Sequence, residues 1–160
     1  MKHILIPTDF TLSSLNVLRF GADAFDDELT ITLLHFMEMP DSISDLLMLP
    51  REPSNFNFIS PEFREGISLI LNRYGSQIKR IRNDFFVGDG RRQFKNYLEH
   101  HKIDTIVFPE NYELKMPSKR SYNPEKLIWN TKWPVKYIQI PDTAIATLDK
   151  GMAGLLLASA

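Results

Sequence analysis

Apolar residues recur along this chain in two alternating rhythms. Ile4 to Ile6 is a short, wholly apolar run closed by Pro7, the pattern of a strand buried on both faces. Thr11 to Phe25 then reads as a helix: Leu15, Leu18, Ala22 and Phe25 share one face, Thr11, Ser13 and Ser14 offer N-cap oxygens, and Asp26-Asp27 can close it. Leu29 to Phe36, rich in β-branched residues, predicts a second strand and completes a βαβ unit.

From Met37 to Pro61 the rhythm breaks, because Pro40, Pro50, Pro53 and Pro61 punctuate it and only Ser42 to Leu49 has the makings of a short helix. Glu62 to Lys79 predicts a second long helix with Phe63, Ile67, Ile70, Leu71, Tyr74 and Ile78 inward, and Ile81 to Val87 a third strand ending in the turn Gly88-Asp89-Gly90. Arg91 to His101 is a helix with Phe94, Tyr97 and Leu98 in one stripe, and Thr105 to Phe108 a short, central strand. Pro124 to Thr131, with Asn123 as N-cap, is the last helix of the alternation, and Val135 to Ile140 its last strand.

Strands alternating with helices give a parallel sheet by right-handed crossovers, with a ligand crevice at the carboxyl ends of the strands near the switch point. The chain is therefore expected to be a single α/β domain over 1–141 with a variable segment at 37–61. A tail follows at 142–160, with Ile145, Leu148, Met152, Leu155 and Leu156 at helical spacing but interrupted by Gly151 and Gly154. The tail is expected to dock on the domain or on a partner subunit.

Composition narrows the classes. A chain of 160 residues buries roughly 70% of the surface its unfolded form exposes, enough for a core without staples. With no cysteine, disulfides and thiolate metal sites are excluded, which suits a cytoplasmic setting. Nineteen basic against twenty acidic side chains argue against general attraction to nucleic acid or anionic lipid. The apolar N-terminal run turns polar at Pro7-Thr8-Asp9, too short for a signal peptide or membrane span.

Lys2-His3-Ile4-Leu5-Ile6-Pro7-Thr8-Asp9-Phe10-Thr11, Thr32-Leu33-Leu34-His35-Phe36, Val87-Gly88-Asp89, Asp104-Thr105-Ile106-Val107, Glu125-Lys126-Leu127-Ile128 and Pro134-Val135 together resemble the universal stress protein family, over about Lys2 to Pro141. The resemblance implies a three-layer, Rossmann-like sandwich of the adenine nucleotide alpha hydrolase-like kind, its five-stranded parallel sheet in the order 3-2-1-4-5. It also implies a non-enzymatic, cytoplasmic stress-response protein that dimerises through its last strand, Val135 to Ile140, and acts on a protein partner.

In nucleotide-binding members of that family three glycines and a hydroxyl residue after the fourth strand hold the phosphates. Here the corresponding positions fall on Pro109, Tyr112 and Tyr122 with Asn123 in the hydroxyl place, or on Ser121 and Tyr122 for the last pair when counted back from Pro134. No glycine occurs between Gly90 and Gly151. Glycine lets backbone amides approach an anion and adopt positive φ, whereas proline lacks the amide and tyrosine adds bulk. The expectation is a degenerate nucleotide site and no cofactor, with ATP or AMP disfavoured.

Candidate site residues remain. Asp9, beside Thr8, matches the family aspartate that approaches adenosine, but it can equally cap the following turn. A nucleoside or other small molecule in that crevice would find stacking surface on Phe10, Phe36, Phe108 and Tyr112. The helix start at Asn123, preceded by Lys115, Lys119 and Arg120, can attract an anion or be a plain solvated loop. Nucleotide transfer would need imidazoles after the first strand, where the turn reads Thr8-Asp9-Phe10-Thr11. His100 and His101 are about 100° apart on a helix, and His3 and His35 are isolated in strands, so no metal site is expected.

Overall fold

A computed structural model describes residues 1–47 and 58–141. The elements run β1 (Lys2–Pro7), α1 (Ser14–Asp23), β2 (Leu29–Met37), α2 (Ile43–Leu47), α3 (Pro61–Arg73), β3 (Ile78–Val87), α4 (Arg91–His100), β4 (Thr105–Pro109), α5 (Glu125–Thr131) and β5 (Val135–Ile138). All strand pairs are parallel and the sheet order is β3-β2-β1-β4-β5. The central strand β1 pairs β2 from Lys2↔Leu29 to Pro7↔Leu34 and β4 at Ile4↔Thr105 and Leu5↔Ile106.

The period-two alternation of strand side chains builds two cores. Ile4, Ile6, Ile31, Leu33 and Val107 face α1 and α3, where Leu15, Leu18, Phe63 and Ile70 meet them. Leu5, Leu34, Phe36, Ile106 and Phe108 face α4 and α5, where Phe94, Leu98, Leu127 and Ile128 meet them. Helix, sheet and helix make the three layers, and the switch point lies between β1 and β4.

Several boundaries differ from the pattern reading, each for a physical reason. Helix α1 begins at Ser14 rather than Thr11, because the backbone at Phe10 takes a left-handed φ of 60° and turns the chain before the helix starts. Helix α3 stops at Arg73 rather than Lys79. Its cap at Tyr74 donates to the Ile70 carbonyl, Gly75 follows, and Ile78 joins β3 against Leu29. Ile78 is buried in either state, which is why the helical period ran on through it.

Strand β5 ends at Ile138, two residues short of the expected Ile140. The side chain of Asn111 stands in for a neighbouring strand there: its Nδ2 donates to the Ile140 carbonyl at 2.6 Å and its Oδ1 accepts from the Ile140 amide at 2.8 Å. The short helix expected over Ser42–Leu49 is present as Ile43–Leu47. Residues 48–57, which include Met48 and Leu49 of the expected helix, and the 142–160 tail lie outside the described residues.

Candidate functional site

The carboxyl ends of β1, β2 and β4 are roofed by the loop 110–124 between β4 and α5. Asp9, one residue past Thr8 at the end of β1, is 2% exposed. Its Oδ1 accepts from the Thr11 amide at 3.1 Å and the Thr11 hydroxyl at 2.5 Å. Its Oδ2 accepts from the Tyr112 hydroxyl at 2.8 Å and the Lys115 amide at 2.9 Å. Two donors are thus the local turn of the capping reading, and two come from the far loop. Tyr112 also lies 3.1 Å from the Thr11 hydroxyl, and burial together with the nearby Asp9 carboxylate pushes its phenol pKa well up.

Thr8 is as enclosed as Asp9. Its Oγ1 accepts from the Phe10 amide and lies 3.2 Å from the Ser14 hydroxyl, while its carbonyl accepts from His35 Nδ1 at 2.8 Å. Because that carbonyl can only accept, the His35 proton is on Nδ1, and Nε2 accepts from the Ser121 hydroxyl at 2.8 Å. His35 is 2% exposed among Phe10, Phe58 and Phe85, and desolvation lowers its pKa.

The far end of the loop is fastened to β2. Ser121 forms an antiparallel bridge with Met37, the Glu38 amide donates to the Arg120 carbonyl at 2.7 Å, and the Tyr122 amide donates to the Phe36 carbonyl at 3.2 Å. The Tyr122 hydroxyl donates to the Gly88 carbonyl in the turn after β3, and its ring packs on Phe36. Phe36 itself is 2% exposed and packs against Phe86, Phe94 and Tyr122 rather than lining an open crevice.

The candidate residues therefore fall into separate places. Thr8, Asp9 and Phe36 are closed in beneath the loop. Phe108 and Asn123 line a different space, an open cleft of about 670 Å³ between the start of the loop, α5 and β5. Asn123 Oδ1 accepts from the Glu125 amide at 3.0 Å, but the N-cap of α5 is Pro124 rather than Asn123, and the helix starts at Glu125. Lys119 and Arg120 are not among the residues lining that cleft, whose charged groups are Glu110, Glu113 and Glu125. Among the described residues no group of three or more His, Asp or Glu is arranged to hold a metal, and no helix is long and apolar enough to cross a membrane.

Pattern reading missed three features. The His35–Ser121 hydrogen bond joins positions 86 apart, the Tyr112–Asp9 bond positions 103 apart, and Trp129 emerges 71% exposed on the cleft wall. Only the last had a local signal, since Trp129 lies off the Leu127–Ile128 stripe of α5.

No family model and no curated protein sequence matches the chain. Solved structures do. The hypothetical protein PH0823 is 18% identical over 86% of this chain and 95% of its own, with a TM-score of 0.53. The hypothetical protein MJ0577 is 18% identical over 88% of this chain and 97% of its own, with a TM-score of 0.50. A universal stress protein solved in complex with cAMP is 20% identical over 86% of this chain and 96% of its own, with a TM-score of 0.46. In its layers and in its parallel sheet order, the chain shares the three-layer α/β fold of PH0823 and MJ0577.

Proposed function

We propose that this chain is a non-enzymatic protein of the universal stress type that has given up tight ATP binding and works through contacts with a second copy of itself and with a protein partner. The observation that carries the reading is the clamp on Asp9. The carboxylate at the head of the crevice already accepts four hydrogen bonds, two of them from Tyr112 and Lys115 of the roofing loop. A nucleoside would have to displace the Tyr112 hydroxyl and the Lys115 amide, giving up hydrogen bonds to a carboxylate worth roughly 1.5–3 kcal/mol each.

The charge pattern supports the same reading. The neighbouring cleft is lined by Glu110, Glu113 and Glu125 and by no lysine or arginine, which repels a triphosphate. Strand β5 is an edge of the sheet, with Lys136 and Tyr137 exposed, and Val135 to Ile140 is the segment through which a second copy would pair.

Isothermal titration of the purified protein with ATP and magnesium, and separately with AMP and adenosine, tests the nucleotide part. No saturable heat at micromolar ligand is expected, and saturable low-micromolar binding of ATP refutes the reading. Light scattering tests the second part: a dimer is expected, and a monomeric wild type removes that part.

A further inference from the structure

We propose that the cleft beside β5 receives a basic segment of a protein partner, seating a lysine or arginine side chain between Trp129 and Tyr137 within reach of Glu110, Glu113 and Glu125. The inference rests on the preceding reading, in that it names the chemistry of the partner contacted. The space is about 670 Å³, and its aromatic walls are Phe108, Tyr112, Trp129 and Tyr137. Trp129 is 71% and Tyr137 42% exposed, unusual for such large rings on a folded surface. The Tyr112 hydroxyl is committed to Asp9, so its ring is held in place as part of the wall.

The charges in this cleft are of one sign. None of the three glutamates forms an ion pair among the described residues, whose ion pairs are Lys2–Asp27, Lys79–Glu28 and Arg82–Asp84. Glu110 accepts a hydrogen bond from Gln139 Nε2 at 3.0 Å, which orients the carboxylate without neutralising it. Glu125, in the first turn of α5, is also favoured there by the helix dipole. Lys126 and Lys132 line adjoining hollows that share Trp129 and Tyr137 with the cleft, and neither is among the residues lining the cleft itself.

Exposed π faces next to uncompensated carboxylates select organic cations over anions and over neutral apolar groups. Guanidinium fits best, since it stacks on indole and phenol faces while donating in a fork to a carboxylate. The whole chain carries a net charge of −1, so attraction of a basic segment would come from this local arrangement rather than from a general field.

The test is fluorescence anisotropy of a labelled hexa-arginine peptide titrated with the full chain, with hexalysine as a second probe and hexaglutamate as the opposite-charge control. Saturable binding of hexa-arginine is expected, weaker with hexalysine and absent with hexaglutamate. Trp129→Ala and the pair Glu113→Gln with Glu125→Gln should each weaken it at least fivefold. The pair Glu62→Gln with Glu65→Gln on exposed α3, which removes the same charge elsewhere, should change it less than twofold. Circular dichroism checks that the variants are folded, and Trp129→Phe, which keeps a ring, should retain most of the affinity. Absence of saturable binding overturns the proposal, as does equal weakening by the α3 pair. Nucleotide titration in the same buffer keeps the two failures apart: ATP binding refutes the proposed function, whereas silence toward both ATP and the peptides refutes this inference alone.

Discussion

Removing one oxygen from the roof of the crevice is the sharpest test of the clamp on Asp9. Tyr112→Phe keeps the ring against the cleft and deletes the donor that meets Asp9 Oδ2 at 2.8 Å. A hydrogen bond to an ionised group is worth about 1.5–3 kcal/mol. Asp9 keeps its two Thr11 donors and the Lys115 amide. The loss should therefore lie near the lower bound, ~1.5 kcal/mol. For a chain of this size each kcal/mol moves Tm by about 2–4 °C, so the variant should melt roughly 3–6 °C lower.

A double-mutant cycle isolates the pair. Asp9→Ala alone leaves the Tyr112 hydroxyl and the Lys115 amide without their acceptor, and Tyr112→Phe on that background should add little. Urea unfolding of the four proteins is expected to show a coupling energy of about 1–2 kcal/mol, well outside the few tenths expected of independent sites. Additivity of the two substitutions would show that the hydroxyl and the carboxylate do not support one another, and the argument that the loop clamps the crevice would fall with it.

Other consequences are smaller in scope. His3, His35 and His101 all have pKa values lowered by desolvation, so the folded chain binds fewer protons than the unfolded one. Stability is then full above the unfolded value of about 6.5 and is lost as pH falls from there through the folded values, so the urea midpoint should be lower at pH 5 than at pH 7.5. A flat profile contradicts this, and His101, which accepts from Arg82 at 3.1 Å and would lose that bond on protonation, is the residue whose replacement by Gln should flatten part of the slope. Asn111→Ala removes both side-chain bonds to Ile140, and a loss of about 1–2 kcal/mol with faster hydrogen exchange at Ile140 is expected. Phe63→Ala, at a fully buried position between α3 and the sheet, should cost about 3–5 kcal/mol in denaturant unfolding, and a cost under 1 kcal/mol would mean that core is not packed as described.

The sheet was legible from sequence because its signal is local. The apolar triplet Ile4–Ile6 and the run Ile106–Phe108 are buried on both sides, as a central parallel strand requires, and β2 is buried likewise with Thr32 and His35 among its apolar residues. The helical stripes at Leu15, Leu18 and Ala22 and at Phe94 and Leu98 were equally readable, since 3.6-residue spacing is set by one element alone. Boundaries blurred where one residue satisfies two periods, as Ile78 does, or where a backbone turn such as that at Phe10 precedes the helix.

By itself, then, the sequence determined the alternation of strands and helices and the lack of glycine between β4 and α5. It left Asp9 with two roles open, and only the tertiary structure brings Tyr112 and Lys115 across more than 100 residues to the carboxylate, beside the Thr11 donors of its own turn. It likewise joined the solitary His35 to Ser121 and turned Trp129, Tyr137 and three scattered glutamates into the walls of one cleft. Contacts of this kind carry no period and no spacing, because they depend on where two loops meet after the sheet has formed, and only the packed chain decides them.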